Sequence, residues 1–237
     1  MDVLRSKQQI PDARSELIKK GASRLERFPK SWLRRWGLVR EVPVGDFVKS
    51  WDVLATLTFL EREIGKDEPV LDIGCYASEV LVALHELGYT SLTGADLNPD
   101  LARMPLQGAI RYETCNFMKT PFADASFQAI TAISVIEHGF DERALLTEMS
   151  RLLKPGGCFI ASFDYWPEKI DTTDTTFFGM EWTIFSRQEV AAFIDHAVHH
   201  GLTLVGDRRF DAEEAVIETV GKRYTFGWLA LRKTTSS

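Results

Sequence analysis

From Val48 onward the chain alternates between two apolar rhythms, and that alternation restricts the folds open to it. Val53, Leu54, Leu57, Leu60 and Ile64 recur at helical spacing and stop before Gly65. The short apolar run PVLDIG follows, ending in a turn at Gly74. A helical stretch, Glu79–Leu87, is closed by Gly88. SLTGAD and AIRYETCN read as a second and third strand. QAITAISVI is a fourth, almost continuously apolar as a central parallel strand buried on both faces must be. Asp141–Leu153 reads as a helix stopped by Lys154-Pro155-Gly156-Gly157, and CFIASFD as a fifth strand. Ser186 with Glu189 three residues on is a capping box opening a helix over Arg187–His200. Two last strands fall near Thr203–Arg208 and Arg223–Arg232, with no helix between them. The pattern predicts a doubly wound α/β domain with a seven-stranded, mostly parallel sheet and an antiparallel last strand.

The domain is expected over residues 48–237, behind a basic helical extension over 1–47. The first 50 residues carry 12 Lys/Arg against 6 Asp/Glu, whereas the remainder carries 16 against 28. An acidic body argues against nucleic acid as a partner, because neutralised phosphates supply most of that affinity. In the extension, Trp32, Leu33 and Trp36 share a helical face beside Arg34 and Arg35. This suits a lid or dimer helix, and it is also compatible with peripheral membrane contact. The start of the chain has no apolar h-region and no later run is long enough to span a bilayer, so a cytoplasmic protein is expected. Cys75, Cys115 and Cys158 lack CxxC spacing and read as free thiols.

In a doubly wound sheet, ligands sit beyond the carboxyl ends of the strands. Asp72 and Gly74 end the first strand at a turn into a helix N-terminus, where N–H groups favour a ligand carboxylate. Asp96 ends the second strand, where an acid can accept from both hydroxyls of a ribose. Nicotinamide-binding domains share that spacing. Further segments follow in order: Asn116-Phe117, then TPFADASF, then Ser134-Val135-Ile136-Glu137-His138, then Leu152-Leu153-Lys154-Pro155-Gly156-Gly157.

This ordered set resembles the class I methyltransferases that use S-adenosylmethionine (SAM), over roughly Leu54 to Lys233. The resemblance implies a Rossmann-like methyltransferase fold and a SAM site. In that site Gly74, Cys75 and Tyr76 line the methionine end with Asp72 nearby. Asp96 holds the ribose, Leu97 packs on the adenine, Asn116 and Phe117 bond it, and Ser134 faces the methionine portion. Where the family usually alternates glycines, this chain has Gly74-Cys75-Tyr76-Ala77-Ser78. Tyr76 fits there only with ordinary backbone angles and a side chain that points away. A nicotinamide-dependent oxidoreductase lacks its Gly-x-Gly-x-x-Gly turn here.

A hydroxyl acceptor benefits from a general base, and His138 is the first candidate, with Asp164 at the end of strand five the second. Phe163–Phe185 interleaves Phe163, Tyr165, Trp166, Phe177, Phe178, Trp182 and Phe185 with carboxylates, which suits stacking on a sugar or phenolic ring. Tyr165, Trp166 and Trp182 are the expected acceptor contacts. The Asp164-Tyr165-Trp166 strand end resembles methyltransferases of surface-glycan biosynthesis. O-methylation of a saccharide or other small hydroxyl compound is the leading expectation. N-methylation of an amine and a non-catalytic partner protein are the alternatives. His196 and His200 have i, i+4 spacing but no evident third ligand, so no metal is expected. The sequence leaves the oligomeric state open.

Overall fold

The computed structural model describes residues 1–25, 41–177 and 179–235. The Trp32–Trp36 face and Phe178 lie outside the described residues. The central strands run β4–β3–β2–β5–β6–β11, with β2 (Val70–Ile73), β3 (Leu92–Asp96), β4 (Ile110–Thr114), β5 (Phe127–Ile133), β6 (Leu153–Tyr165) and β11 (Lys222–Lys233). The first five pair in parallel, and β11 runs antiparallel to β6. At the far edge β9 (Leu202–Leu204) pairs with the end of β11 and completes the expected seven strands. Two short strands enlarge the sheet to nine. β1 (Asp2–Val3) pairs with Gly227 and Trp228, and β10 (Ile217–Thr219) forms a hairpin with β11.

Strand alternation divides the core between the two faces. Leu71, Ile73, Ile130, Ala132, Phe159, Ala161 and Phe163 face one way. They pack on α4 (Glu142–Leu152) and α5 (Arg187–His199), through residues such as Leu145, Met149, Phe193 and Ile194. Val70, Ala129, Cys158 and Ile160 face the other way, onto α1 (Gln9–Lys19), α2 (Ser50–Glu63) and α3 (Val80–Glu86). Each face buries a continuous apolar layer, which is what requires helices on both sides. The capping box at Ser186–Glu189 is present, and Asp141 caps α4 by accepting from Ala144 N–H at 2.9 Å.

The described part of the N-terminal extension is built into this body. Met1 is buried and its α-amino group donates to Asp207 O at 2.6 Å. On α1, Arg14 is 4% exposed and forms a bidentate pair with Glu79, at 3.0 and 2.6 Å. Its remaining N–H groups reach Ser50 Oγ, Ser23 Oγ and Asp46 O. One guanidinium thus ties α1, the loop before α2 and the start of α3 together. Cys75 and Cys158 are buried, Cys115 is half-buried, and all three are free. Among the described residues no helix is long and apolar enough to cross a membrane.

Candidate active site

A cavity of about 1010 Å³ opens beyond the carboxyl ends of β2, β3, β4, β5 and β6. That is the upper end of the range for ligand pockets, room for more than one small molecule. At one end stands Asp96. Its Oδ2 accepts from Tyr76 N–H and its Oδ1 from Asn98 N–H, both at 2.9 Å. Two backbone donors thus fix the carboxylate, and its remaining lone pairs are available to ligand hydroxyls. Beside it Leu97 is 58% exposed, an apolar surface on the cavity wall. Asn116 Oδ1 accepts from Met118 N–H at 2.9 Å, and Phe117 and Met118 line the adjoining wall.

The turn after β2 is shaped by steric limits. Gly74 has φ +64°, and a Cβ there would lie 2.4 Å from Val135 Cγ2. The next left-handed residue is Ala77, at φ +61°, while Tyr76 keeps an ordinary φ. The loop therefore closes without the alternating glycines, and Tyr76 lines the cavity. Cys75 does not line it. Its side chain is 1% exposed and points beneath the turn, toward Gly94 and Leu81, and burial raises its thiol far above the usual range. Asp72 is likewise buried behind the cavity, where its Oδ1 accepts from Thr131 Oγ1 at 2.6 Å. Burial pushes its carboxyl up to about 7.

The deep end of the cavity is acidic and aromatic. Ser134, at φ +54°, ends β5 and its Oγ accepts from Lys49 Nζ. A non-glycine residue at such a φ is strained, a feature concentrated at functional sites. Glu137 and His138 follow, and their backbone pairs with the segment carrying Trp182, where Thr183 N–H donates to Glu137 O at 2.8 Å. That pairing brings Trp182 over the end of β6, and its Nε1 donates to Asp164 Oδ2 at 2.8 Å. Asp164 Oδ1 and Glu137 Oε2 are buried without a hydrogen-bond partner in the protein, and both residues line the cavity. Lys49 Nζ lies 3.9 Å from Asp164 Oδ1. Burial, reinforced by the Asp164 charge, lifts the Glu137 carboxyl well above its ordinary range. Behind them Asp52 accepts from Ser162 Oγ at 2.9 Å and is pushed by burial up to about 6. His138 stands edge-on to Phe177, with burial holding its pKa below the usual value.

Of the residues expected from the sequence, Gly74, Tyr76, Asp96, Leu97, Asn116, Phe117, Ser134, His138, Asp164 and Trp182 share this one cavity. Tyr165 and Trp166 do not. Alternation along β6 turns Tyr165 away from Asp164 into the opposite core layer, where it is fully buried and its hydroxyl donates to Phe210 O at 2.6 Å. Trp166 packs instead against a third apolar cluster. Lys49, Glu137 and Tyr224 were not assigned site roles. Alternation in the last strand, with Tyr224 and Phe226 on one face, was the signal for Tyr224. His196 pairs with Glu142 Oε1 at 2.5 Å on the protein surface. Among the described residues no group of three or more His, Cys, Asp or Glu is arranged to hold a metal.

Residues 71–161, which hold the Gly74 turn, Asp96, Asn116 and the Glu137–His138 pair, match the family model described as "Methyltransferase domain". Over that segment the chain is similar to the class I SAM-dependent methyltransferases. An O-methyltransferase (rstn1) of Aspergillus nomiae is 32% identical over 111 residues, 41% of this chain and 49% of that protein. A geranyl diphosphate C-methyltransferase of Streptomyces coelicolor has a similar fold, with TM-score 0.60, 18% identity, and coverage of 83% of this chain and 90% of that one. The [4+2]-cyclase SpnF aligns with TM-score 0.63 and 14% identity, over 100% of this chain and 99% of that one. The chain spans about half the length, or less, of the curated relatives it matches.

SAM, the cofactor of class I methyltransferases, suits the donor set of this cavity. Asp96, fixed by two amide N–H groups, matches a ribose diol, and the exposed Leu97 matches an apolar adenine face. The carboxamide oxygen of Asn116 has a second lone pair for an amine beside the one used by Met118.

Proposed function

We propose that this chain transfers a methyl group from SAM to a hydroxyl of a small acceptor, a sugar or similar hydroxylated compound, bound at the Glu137–His138–Asp164 end of the cavity. The observation that carries this reading is continuity. One cavity joins the ribose-type carboxylate of Asp96 to buried, unsatisfied carboxylate oxygens on Glu137 and Asp164. When bound, SAM supplies an activated methyl group on a sulfonium.

The residues of the chain then have separate duties. Asp96, Leu97 and Asn116 hold the nucleoside, and Gly74 and Tyr76 form the turn beneath the methionine portion. Glu137 and Asp164 accept hydrogen bonds from acceptor hydroxyls, which fixes the acceptor's orientation. His138, kept neutral near pH 7 by burial, takes the hydroxyl proton, a role worth about 10²–10⁴ in rate. Asp164, held by Trp182, favours the imidazolium that results. Relatives named O-methyltransferases support oxygen as the receiving atom. A glycan substrate and a cytoplasmic setting belong to this same reading.

The two unsatisfied carboxylate oxygens also favour a second reading, an amine acceptor whose ammonium they would bind before it loses its proton. Labelled SAM and the full chain, assayed against glycosides, phenols and primary amines, separate the two. Label is expected in hydroxyl acceptors. Label in amines alone would overturn the oxygen reading.

A further inference from the structure

A second cavity, of about 470 Å³, lies against the first, between the start of α1 and the β10–β11 hairpin. Asp46, Lys49, Thr219 and Tyr224 line both. The boundary between them is therefore made in part of long, rotatable side chains. Lys49 crosses it, with Nζ donating to Ser134 in the first cavity and lying 3.7 Å from the ring centroid of Phe226, a wall of the second. Tyr224 stands beside it, its hydroxyl donating to Thr219 Oγ1 at 3.2 Å.

The two cavities differ in chemistry. The deep end of the first presents Glu137 and Asp164, each with a buried oxygen lacking a hydrogen-bond partner. The second is walled by Ile10, Pro11, Val216, Ile217 and Phe226, with Lys7, Asp46, Lys49 and Glu218 also on its lining. Phe47 and Val48, at 47% and 36% exposure, leave apolar surface open to water on its lining. An apolar wall reached from a pocket whose deep end carries unpartnered buried oxygens suits a ligand with one end of each kind.

We propose that the second cavity binds the apolar portion of the acceptor, so that the substrate is amphipathic. Its hydroxylated head lies at Glu137 and Asp164, and its aliphatic or aromatic tail passes Lys49 and Tyr224 into the space between α1 and the hairpin. The proposal rests on the methyl-transfer reading.

The test uses the full chain loaded with S-adenosylhomocysteine, whose binding is first measured alone by calorimetry. n-Alkyl β-glucosides from methyl to octyl are then titrated below their micelle-forming concentrations. Affinity is expected to rise by about fourfold per methylene over the first carbons and then level off as the cavity fills. Val48→Asp, at a partly exposed position, and Ile217→Trp are expected to flatten that rise while leaving S-adenosylhomocysteine affinity unchanged. Affinity that does not grow with chain length, absent binding included, overturns the second subsite and leaves the cofactor site standing. So does a rise that persists undiminished in both variants. Failure of S-adenosylhomocysteine to bind the wild-type chain would sink both readings.

Discussion

Trp182 donates its indole N–H to Asp164 at 2.8 Å, and the two residues are 2% and 5% exposed. They come from segments 18 residues apart, joined over the cavity by the backbone pairing of 137–138 with 182–183. The bond fixes one oxygen of Asp164 and leaves the other facing the cavity. Trp182→Phe keeps a ring there but strips the carboxylate of its donor. We expect a stability loss of about 1–3 kcal/mol, the cost of a buried acceptor left unsatisfied, together with a fall in kcat. Thermal unfolding and steady-state kinetics on the same variant check this. A variant with wild-type kcat would show that Asp164 needs no positioning.

The Arg14–Glu79 pair makes a different prediction. Side-chain exposures of 5% and 1% mean that neither charge has water to fall back on. Arg14→Met should cost about 3–5 kcal/mol, because Glu79 is left buried and uncompensated. Arg14→Met with Glu79→Met should recover much of that loss. Urea unfolding of the two single variants and the double variant measures the coupling directly. Additive losses would mean that the pair is incidental.

Asp72 gives the pH dependence of stability its sign. Burial raises its folded pKa to about 7, above the ordinary carboxyl value of the unfolded chain. The native state therefore binds more protons between those values, and the stability this group allows at low pH is lost as pH rises toward 7. Asp72→Asn cannot ionise. Its stability relative to wild type should increase between pH 4 and pH 8, by at most on the order of 4 kcal/mol. A pH series of denaturant melts would show this, and a constant difference across the range would refute it.

His138 sets the expectation for the rate. With burial holding its pKa below the usual imidazole value, the neutral base persists through neutral pH, and kcat/KM should fall only on the acid side of the ordinary imidazole range. His138→Gln should lower kcat by about 10²–10⁴ and abolish that acid limb. Retention of the limb in the variant would assign it to another group.

Much of this site was legible because chemistry in a doubly wound sheet collects at strand ends. Asp96, Asn116, Ser134, His138 and Asp164 all follow or end apolar runs and meet in one cavity. β5 and β6 stand out for the same reason, since strands buried on both faces must be continuously apolar. Elements of two or three residues carry no period, so β1, β10 and the small hairpin of Thr176–Phe177 with Met180–Glu181 gave no signal. β6 reaches back to Leu153 through Lys154-Pro155-Gly156-Gly157, residues that read as a helix stop. Tyr165 and Trp166 looked like acceptor contacts by proximity to Asp164, but alternation turns Tyr165 into the core and Trp166 packs beyond the strand end. Lys49 stands just ahead of the first helix of the domain, placed by the α1–α2 packing that Arg14 anchors, and no local pattern announces such a residue.

Asp96 is the residue on which SAM binding should depend most directly. Calorimetric titration of S-adenosylhomocysteine into the wild-type chain and into Asp96→Ala tests it. We predict binding by the wild type and a loss of about 100-fold or more in the variant, the effect of removing hydrogen bonds to a charged acceptor at about 1.5–3 kcal/mol each. Equal affinities in the two proteins, or no binding to the wild type, would contradict the assignment of this cavity as the SAM site.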